Sequence, residues 1–334
     1  MNNINKVLEY SVDKNFLENL TNKNYEFIRK QIKMLPIVSH IFSKNNKDKA
    51  YVIIFYNNDK KSFLIDGFLN KGSYNKTYQI RNKKNNKFVY RLKNDVVTER
   101  NEVMENFLQT FIHGYLTQYQ RHYLKDDNLI KINYFGFNQR YKFCSTIVEK
   151  MDGTLYFILA NKLISFEQKI EILIKSIYQI TLLLEKLQED LHFVHNDLKC
   201  DNIFFKFVNS SLVPKKLFES NNLKFYLGDF DTSRIEINGI ILMCENHYIP
   251  DRNFSPRKDL FLLVNSLFYS FNDDLWIKHF FKNFPIIKNV INNEKNYYSL
   301  YNFKDVFIDD TYLPKNFKNK LEKSYPTFIN KKID

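Results

Sequence analysis

The stretch His195-Asn196-Asp197-Leu198-Lys199-Cys200-Asp201-Asn202, read together with Gly228-Asp229-Phe230-Asp231, brings carboxylates, an ammonium and a primary amide together at short spacings. Phosphoryl transfer from a nucleotide needs groups of these kinds: a carboxylate to orient the attacking hydroxyl, a cation on the migrating phosphate, and two oxygen ligands for magnesium. Asp197, Lys199 and Asn202 supply the first three of these roles, and Asp229 supplies the second metal ligand. Apolar residues flank each polar cluster. Phe193 and Val194 lead into the first, Ile203 to Phe205 leave it, and Phe225 to Leu227 lead into the second. The pattern predicts short buried strands that present polar loops.

The two loops resemble those of the eukaryotic-type protein kinases, whose catalytic loop reads H-R-D-L-K-x-x-N and whose metal loop reads D-F-G. Here they read H-N-D-L-K-C-D-N and D-F-D. The polar stretch Asn209 to Asn222 accounts for the extra distance between Asn202 and Asp229 as an inserted surface loop. The resemblance implies an α+β, two-lobed protein kinase-like fold: a β-rich small lobe, and a helical large lobe abbreviated at its end. It also implies ATP and magnesium as cofactors. In these roles Asp197 orients the acceptor, Lys199 meets the γ-phosphate, and Asn202 and Asp229 hold the metal.

The other elements follow in chain order. Residues 1 to about 45 read as helix and linker, with Phe16, Leu17, Leu20, Phe27, Ile28, Ile32 and Leu35 at helical spacing. Tyr51 to Tyr56 reads as an extra strand, so residues 1–60 form an extension, 61–150 the small lobe and 151–334 the large lobe. Leu69 to Ile80 resembles the glycine-rich loop over the nucleotide phosphates, with only Gly72 of its glycines kept and Ser73 beside it. The strand Lys87 to Lys93 resembles V-A-I-K. Arg91 and Lys93 share a face of it, and either can point at the α- and β-phosphates. Choosing Arg91 places the apolar Val89 over the adenine, whereas choosing Lys93 places a charge there, so Arg91 is assigned. An arginine fork is not equivalent to the family's compact lysine ammonium.

Thr98 to Gln120 reads as the family's helix C, with Glu99, Glu102 and Glu105 as candidate partners of the strand cation and Glu105 preferred. Phe143 to Val148 is a strand running into the hinge-like Glu149-Lys150-Met151-Asp152-Gly153. By the resemblance Val148 lies behind the adenine, Met151 offers its backbone to it, and Asp152 lies near the ribose. Phe166 to Glu189 is an amphipathic helix. Ile249-Pro250-Asp251 stands where the family carries A-P-E. Asp259 resembles the helix aspartate that ties down the catalytic-loop backbone.

Composition narrows the function class. The chain has 334 residues, a formal charge of +13 and only seven glycines. Its basic residues are scattered through Asn/Lys-rich loops rather than gathered in an aromatic-basic motif, so no specific nucleic-acid partner is expected. Cys144, Cys200 and Cys244 are widely spaced, which argues against a disulfide framework or zinc site. No apolar run is long enough to span a bilayer. The expectation is a cytoplasmic protein, similar in style to kinases of large DNA viruses and then in host cytoplasm or virion. Its partner is a protein substrate with a Ser/Thr acceptor, since Lys199 follows the Ser/Thr pattern. A pseudokinase scaffold and a choline- or aminoglycoside-type phosphotransferase are the other classes considered.

Asn196 stands where regulated kinases carry arginine. A neutral amide needs no anion, so the sequence predicts independence from phosphorylation between Asp229 and Asp251. In that segment Thr232 and Ser233 are the only hydroxyls apart from Tyr248. Replacing both with alanine is then expected to leave activity largely intact.

Overall fold

A computed structural model describes residues 37–44, 49–56, 59–71, 75–93, 105–113, 116, 128–138, 144–212, 214–237, 240–243, 254–271, 273–282 and 310–329. The chain divides into unit 1, Met1–Lys150 with Asn238–Glu245, and unit 2, Met151–Ile237 with Asn246–Asp334. Unit 1 is mainly β and unit 2 mainly helical, the α+β class expected.

Unit 1 is built on seven strands: β1 (Ile37–Lys44), β2 (Ala50–Tyr56), β3 (Asp59–Lys71), β4 (Asn75–Arg81), β5 (Lys87–Lys93), β6 (Ile132–Asn138) and β7 (Cys144–Glu149). They form a closed sheet in the order β1-β2-β3-β4-β5-β7-β6, shut by a parallel pairing of β1 with β6; the other pairings are antiparallel. Strand alternation sorts the side chains into an inside and an outside. Val52, Ile54, Phe63, Ile80, Tyr90 and Ile147 are buried together, with Ile65, Tyr78, Phe88, Leu92 and Tyr134 packed against them. The β4–β5 hairpin turns at Asn82 to Asn86. Asn85 takes a left-handed φ of 66°, and the Asn82 side chain accepts the Asn86 amide at 3.0 Å, the local geometry that asparagine favours.

The reading of residues 1 to about 45 as helix and linker fails over 37–44, which form β1. Ile37 and Ile41, like Val38 and Phe42, are four apart, a spacing that imitates a helical stripe. What decides is the pairing with β6, from Ile37 opposite Phe135 to His40 opposite Asn138, which no local pattern announces. The strand read at Tyr51 to Tyr56 does extend the sheet of unit 1, as β2, and β1 adds a further strand that the sequence reading lacks. Residues 1–36, including the helical stripe from Phe16 to Leu35, lie outside the described residues.

Unit 2 is organised on two long helices. The helices in chain order are α1 (105–113, in unit 1), α2 (Leu155–Ala160), α3 (Phe166–Leu191), α4 (Pro214–Leu217), α5 (Lys258–Phe271), α6 (Leu275–Lys282), α7 (Pro314–Ser324) and α8 (Pro326–Ile329). Ser165 and Gln168 form a reciprocal capping box that starts α3, and His192 in the left-handed region ends it. The helix α5 is buried along most of its length. Near the C-terminus α7 docks on α3 through the buried Phe317 and Leu321, a Tyr178 hydroxyl that donates to Glu322 at 2.8 Å, and a Lys318–Glu185 ion pair.

Between the helices lies a small sheet, β10-β9-β8, made of β8 (Gly153–Thr154), β9 (Ile203–Phe207) and β10 (Leu223–Leu227). The stretch Asn209 to Asn222, expected as an inserted surface loop, is more organised than that. It contains α4 and a helical turn at Ser220–Asn222. The buried Asn222 amide accepts the Asn209 backbone N–H and donates to the carbonyls of Asn209 and Leu217, while Lys175 and Glu171 of α3 hold Ser220. Among the described residues no helix is long and apolar enough to cross a membrane.

If β2 is integral to unit 1, Ile54→Ala should destabilise that unit by about 2–5 kcal/mol, the usual cost of emptying a buried isoleucine site. Chemical denaturation followed by strand-specific hydrogen exchange reads this out. A loss of less than about 0.5 kcal/mol, as at an exposed surface site, would show that the strand is dispensable to the core.

Candidate active site

The chemistry-bearing loops of unit 2 are held by one buried carboxylate. Asp259, in the first turn of α5 and fully buried, accepts the backbone N–H of His195 at 3.1 and 2.9 Å and that of Asn196 at 3.0 Å. Burial pushes this carboxyl above the ordinary aspartate range, and the two amides pull it back.

The loops are also stitched to each other. The backbones of Val194 and Arg234 exchange hydrogen bonds at 3.0 and 2.9 Å, Asn196 Nδ2 donates to the Thr232 carbonyl at 3.0 Å, and the Gly228 N–H donates to the Asn202 carbonyl at 3.1 Å. His195 Nε2 lies 3.0 Å from the Gly228 carbonyl. A carbonyl only accepts, so this nitrogen carries a proton and donates. The rings of Phe193, His195 and Phe230, all buried, pack at centroid distances of 5.8 Å for Phe193–Phe230 and 5.4 Å for His195–Phe230.

The expected residues sit on this frame. Asp197 Oδ2 accepts from Lys199 Nζ at 2.6 Å and from Asn202 Nδ2 at 3.2 Å, and Asn202 Nδ2 also reaches the Asp197 carbonyl at 2.8 Å. Burial lowers the Lys199 pKa, but the neighbouring carboxylates of Asp197, Asp229 and Asp201 outweigh it and hold the net shift upward. Lys199 is therefore a firmly protonated cation. Asp201 moves upward through burial, against the pull of Lys199. Asn202 is buried at the end of a helical turn, Cys200–Asn202, and the Gly228 bond brings Asp229 next in sequence to a residue bonded to it. Asn196 and Asp229 both have φ of 67°, a left-handed conformation that side-chain-bearing residues keep only where the surroundings enforce it.

In unit 1, Val89 and Arg91 of β5 alternate with Tyr90, whose side chain fills the closed sheet, so both lie on the outer face. Val148 pairs with Val89, and Thr146 with Arg91. The Arg91 guanidinium donates to Glu105 of α1 at 2.9 Å. Glu105 is the one candidate glutamate among the described residues; Glu99 and Glu102 lie outside them, as do Gly72, Ser73, the Lys93 side chain and Ile249-Pro250-Asp251. In unit 2, the Asp152 carboxylate accepts the Phe207 N–H at 2.9 Å, and the Asp152 N–H donates to the Phe205 carbonyl, so the Met151–Asp152 backbone is anchored to β9.

Several groups escape a sequence reading. Asn106 and Gln109 bond to the sheet beside Glu105, and Thr232 and Ser233 are buried. Polar residues within the apolar run Phe107, Leu108, Phe111, Ile112 are the signal that marks the first pair. The hydroxyls of Thr232 and Ser233 both donate to the His195 carbonyl, at 2.8 and 3.3 Å. This corrects the expectation that alanine at both positions is harmless, because these side chains are part of the frame.

No family model and no curated protein matches the chain. Among solved structures, the chain is similar to the BubR1 kinase domain, with TM-score 0.44 and 17% identity over 72% of this chain and 62% of that one. It is also similar to the Cydia pomonella granulovirus kinase, PK-1, with TM-score 0.35 and 21% identity over 52% of each chain. The chain thus spans less than two thirds of either structure.

Because two hydroxyls serve one carbonyl, each should cover for the other's loss. Thr232→Val or Ser233→Ala alone should cost little, while the double variant, which orphans the buried His195 oxygen, should lose about 1–3 kcal/mol more than the sum. A denaturation double-mutant cycle measures this. Strict additivity would mean that the carbonyl finds another donor.

Proposed function

We propose that this chain is an ATP-dependent phosphotransferase of the protein kinase type that phosphorylates Ser/Thr hydroxyls of protein substrates. The observation that carries the reading is the frame in unit 2, where Asp259 fixes the backbone of the loop bearing Asp197, Lys199 and Asn202.

Asp197, oriented by Lys199 and Asn202, positions the acceptor hydroxyl and takes its proton as transfer proceeds. Lys199 is held protonated and offers its charge to the γ-phosphate. Asn202 Oδ1 and the Asp229 carboxylate accept no hydrogen bond from the described residues, so hard oxygen donors stand ready for a small divalent cation. Magnesium, when bound there with ATP, supplies neutralisation of the phosphate oxygens. We assign Arg91, steadied by Glu105, to the α- and β-phosphates, and by sequence alone we assign the same phosphates to Gly72 and Ser73, which lie outside the described residues. Val89 and Val148, neighbours on one face of β5 and β7, take the adenine, with the Met151 backbone on its edge and Asp152 near the ribose. All four catalytic-loop and metal-loop groups, Asp197, Lys199, Asn202 and Asp229, are present, which weighs against a scaffold, and Lys199 follows the protein-kinase pattern rather than that of small-alcohol kinases.

Labelled ATP incubated with generic basic and acidic protein substrates, beside choline and an aminoglycoside, tests the reading and separates its rivals. Labelled protein in the wild type and a roughly 10²–10⁴-fold loss in Asp197→Asn are expected. Labelled small alcohols alone, or no transfer at all, would overturn the assignment. Asp229→Asn should remove magnesium-dependent ATP binding in calorimetry, and unchanged affinity would show that this loop does not hold the metal. Arg91→Ala should impair transfer more than Lys93→Ala, and the reverse order would make Lys93 the phosphate ligand.

A further inference from the structure

The helix α1 is attached to the sheet of unit 1 at more than the Arg91–Glu105 pair. Thr146 Oγ1, on β7, donates to Asn106 Oδ1 at 3.1 Å, and Gln109 Nε2 donates to the Ile130 carbonyl, just before β6, at 2.6 Å. Glu105, Asn106 and Gln109 are all buried. At about 100° per residue these positions fall within one arc of roughly 100° on the helix surface. Phe107, Leu108, Phe111 and Ile112, buried as well, occupy the rest of the turn.

The sheet order β5-β7-β6 places the three attachment points on or beside three successive strands. One contact lets a helix pivot, and a contact through a long arginine side chain is the most compliant kind. Three points not on one line remove rotation as well as translation. Moving the helix away would break the Thr146–Asn106 and Gln109–Ile130 bonds in buried surroundings, a cost that opposes any swing.

We infer that Asn106 and Gln109 are positioning residues that hold Glu105 against Arg91 before nucleotide arrives. The inference rests on the proposed nucleotide role of Arg91, and it adds that the phosphate-gripping pair is built in advance rather than assembled on binding. A pair assembled in advance gives no fraction of incompetent protein to lower the apparent affinity.

Hydrogen exchange on the nucleotide-free full chain, read with calorimetry of magnesium-ATP binding, tests the inference. In the wild type the amides of 105–113 should be protected and should change by less than about twofold on adding nucleotide. Thr146→Val with Gln109→Met removes both tethers with little change in volume. It should speed exchange of the helix by about tenfold or more and weaken ATP binding by a comparable factor, while Thr146→Ser restores the first tether and its share of both effects. Should the double variant fail to melt cooperatively, the two single variants carry the same comparison. A wild-type helix that exchanges freely until nucleotide is added, or a double variant as protected as wild type, would overturn the inference. Exchange is measured without nucleotide, so wild-type protein that binds no ATP sinks the phosphotransferase reading while the exchange data still decide the tethers.

Discussion

The bond on which the catalytic-type loops rest is that between the Asp259 carboxylate and the backbone N–H groups of His195 and Asn196. A loop carrying several polar side chains cannot be held by apolar packing alone, because its own amides need partners once they leave water. Asp259 supplies them from a helix that is buried along most of its length, so the loop inherits the rigidity of the core. With two amides fixed, His195 is placed to reach the Gly228 carbonyl, and Asn196 to reach the Thr232 carbonyl. The strained backbone at Asn196 and Asp229 then persists because the surrounding bonds leave no relaxed alternative.

Unit 1 meets a different constraint by closing its sheet. An open sheet has two unpaired edges and two faces that need cover. Pairing β1 with β6 removes the edges and turns one face into an interior filled by Val52, Ile54, Phe63, Ile80 and Tyr90. The outer face then carries Val89, Arg91, Thr146 and Val148 as cross-strand neighbours. The same alternation that fills the interior decides which residues of β5 can act outside it, so packing and site placement are one property of the strand.

How much of this was legible in the sequence follows from the range of the signals. β5 and α3 are specified by residues within a few positions of each other, and they form where the sequence places them; the Asn82–Asn86 turn and the Ser165 cap are equally local. The bonds of Lys199 and Asn202 to Asp197 join residues within five positions of one another, and the tie from Asp259 to the loop backbone was legible through the resemblance of its helix start. β1 was not, since its apolar spacing fits a helix and its partner strand lies nearly a hundred residues away. The order in Asn209 to Asn222 was hidden for a related reason: a polar composition looks like a solvated loop, while one buried amide, Asn222, satisfies the backbone of the whole turn. The buried roles of Thr232 and Ser233 likewise depend on a carbonyl 37 and 38 residues earlier.

Asn196 shows how such a frame trades strength for independence. An arginine at this place would bring a charge out of water and would require an anion beside it. Asparagine brings a neutral amide, and its Nδ2 finds a fixed backbone carbonyl, that of Thr232. The cost is visible: the Asn196 amide oxygen and His195 Nδ1 are buried without partners among the described residues. Each such atom subtracts stability on the order of 1–3 kcal/mol, so the remaining bonds around the loop must outweigh them. The frame's donors are amides, hydroxyls and the His195 ring nitrogen, and its acceptors are carbonyls apart from one charged group, the Asp259 carboxylate. Neutral buried bonds are little affected by ionic strength, and no added phosphate is needed to complete them. The arrangement of the loops is thus set by bonds within the fold itself.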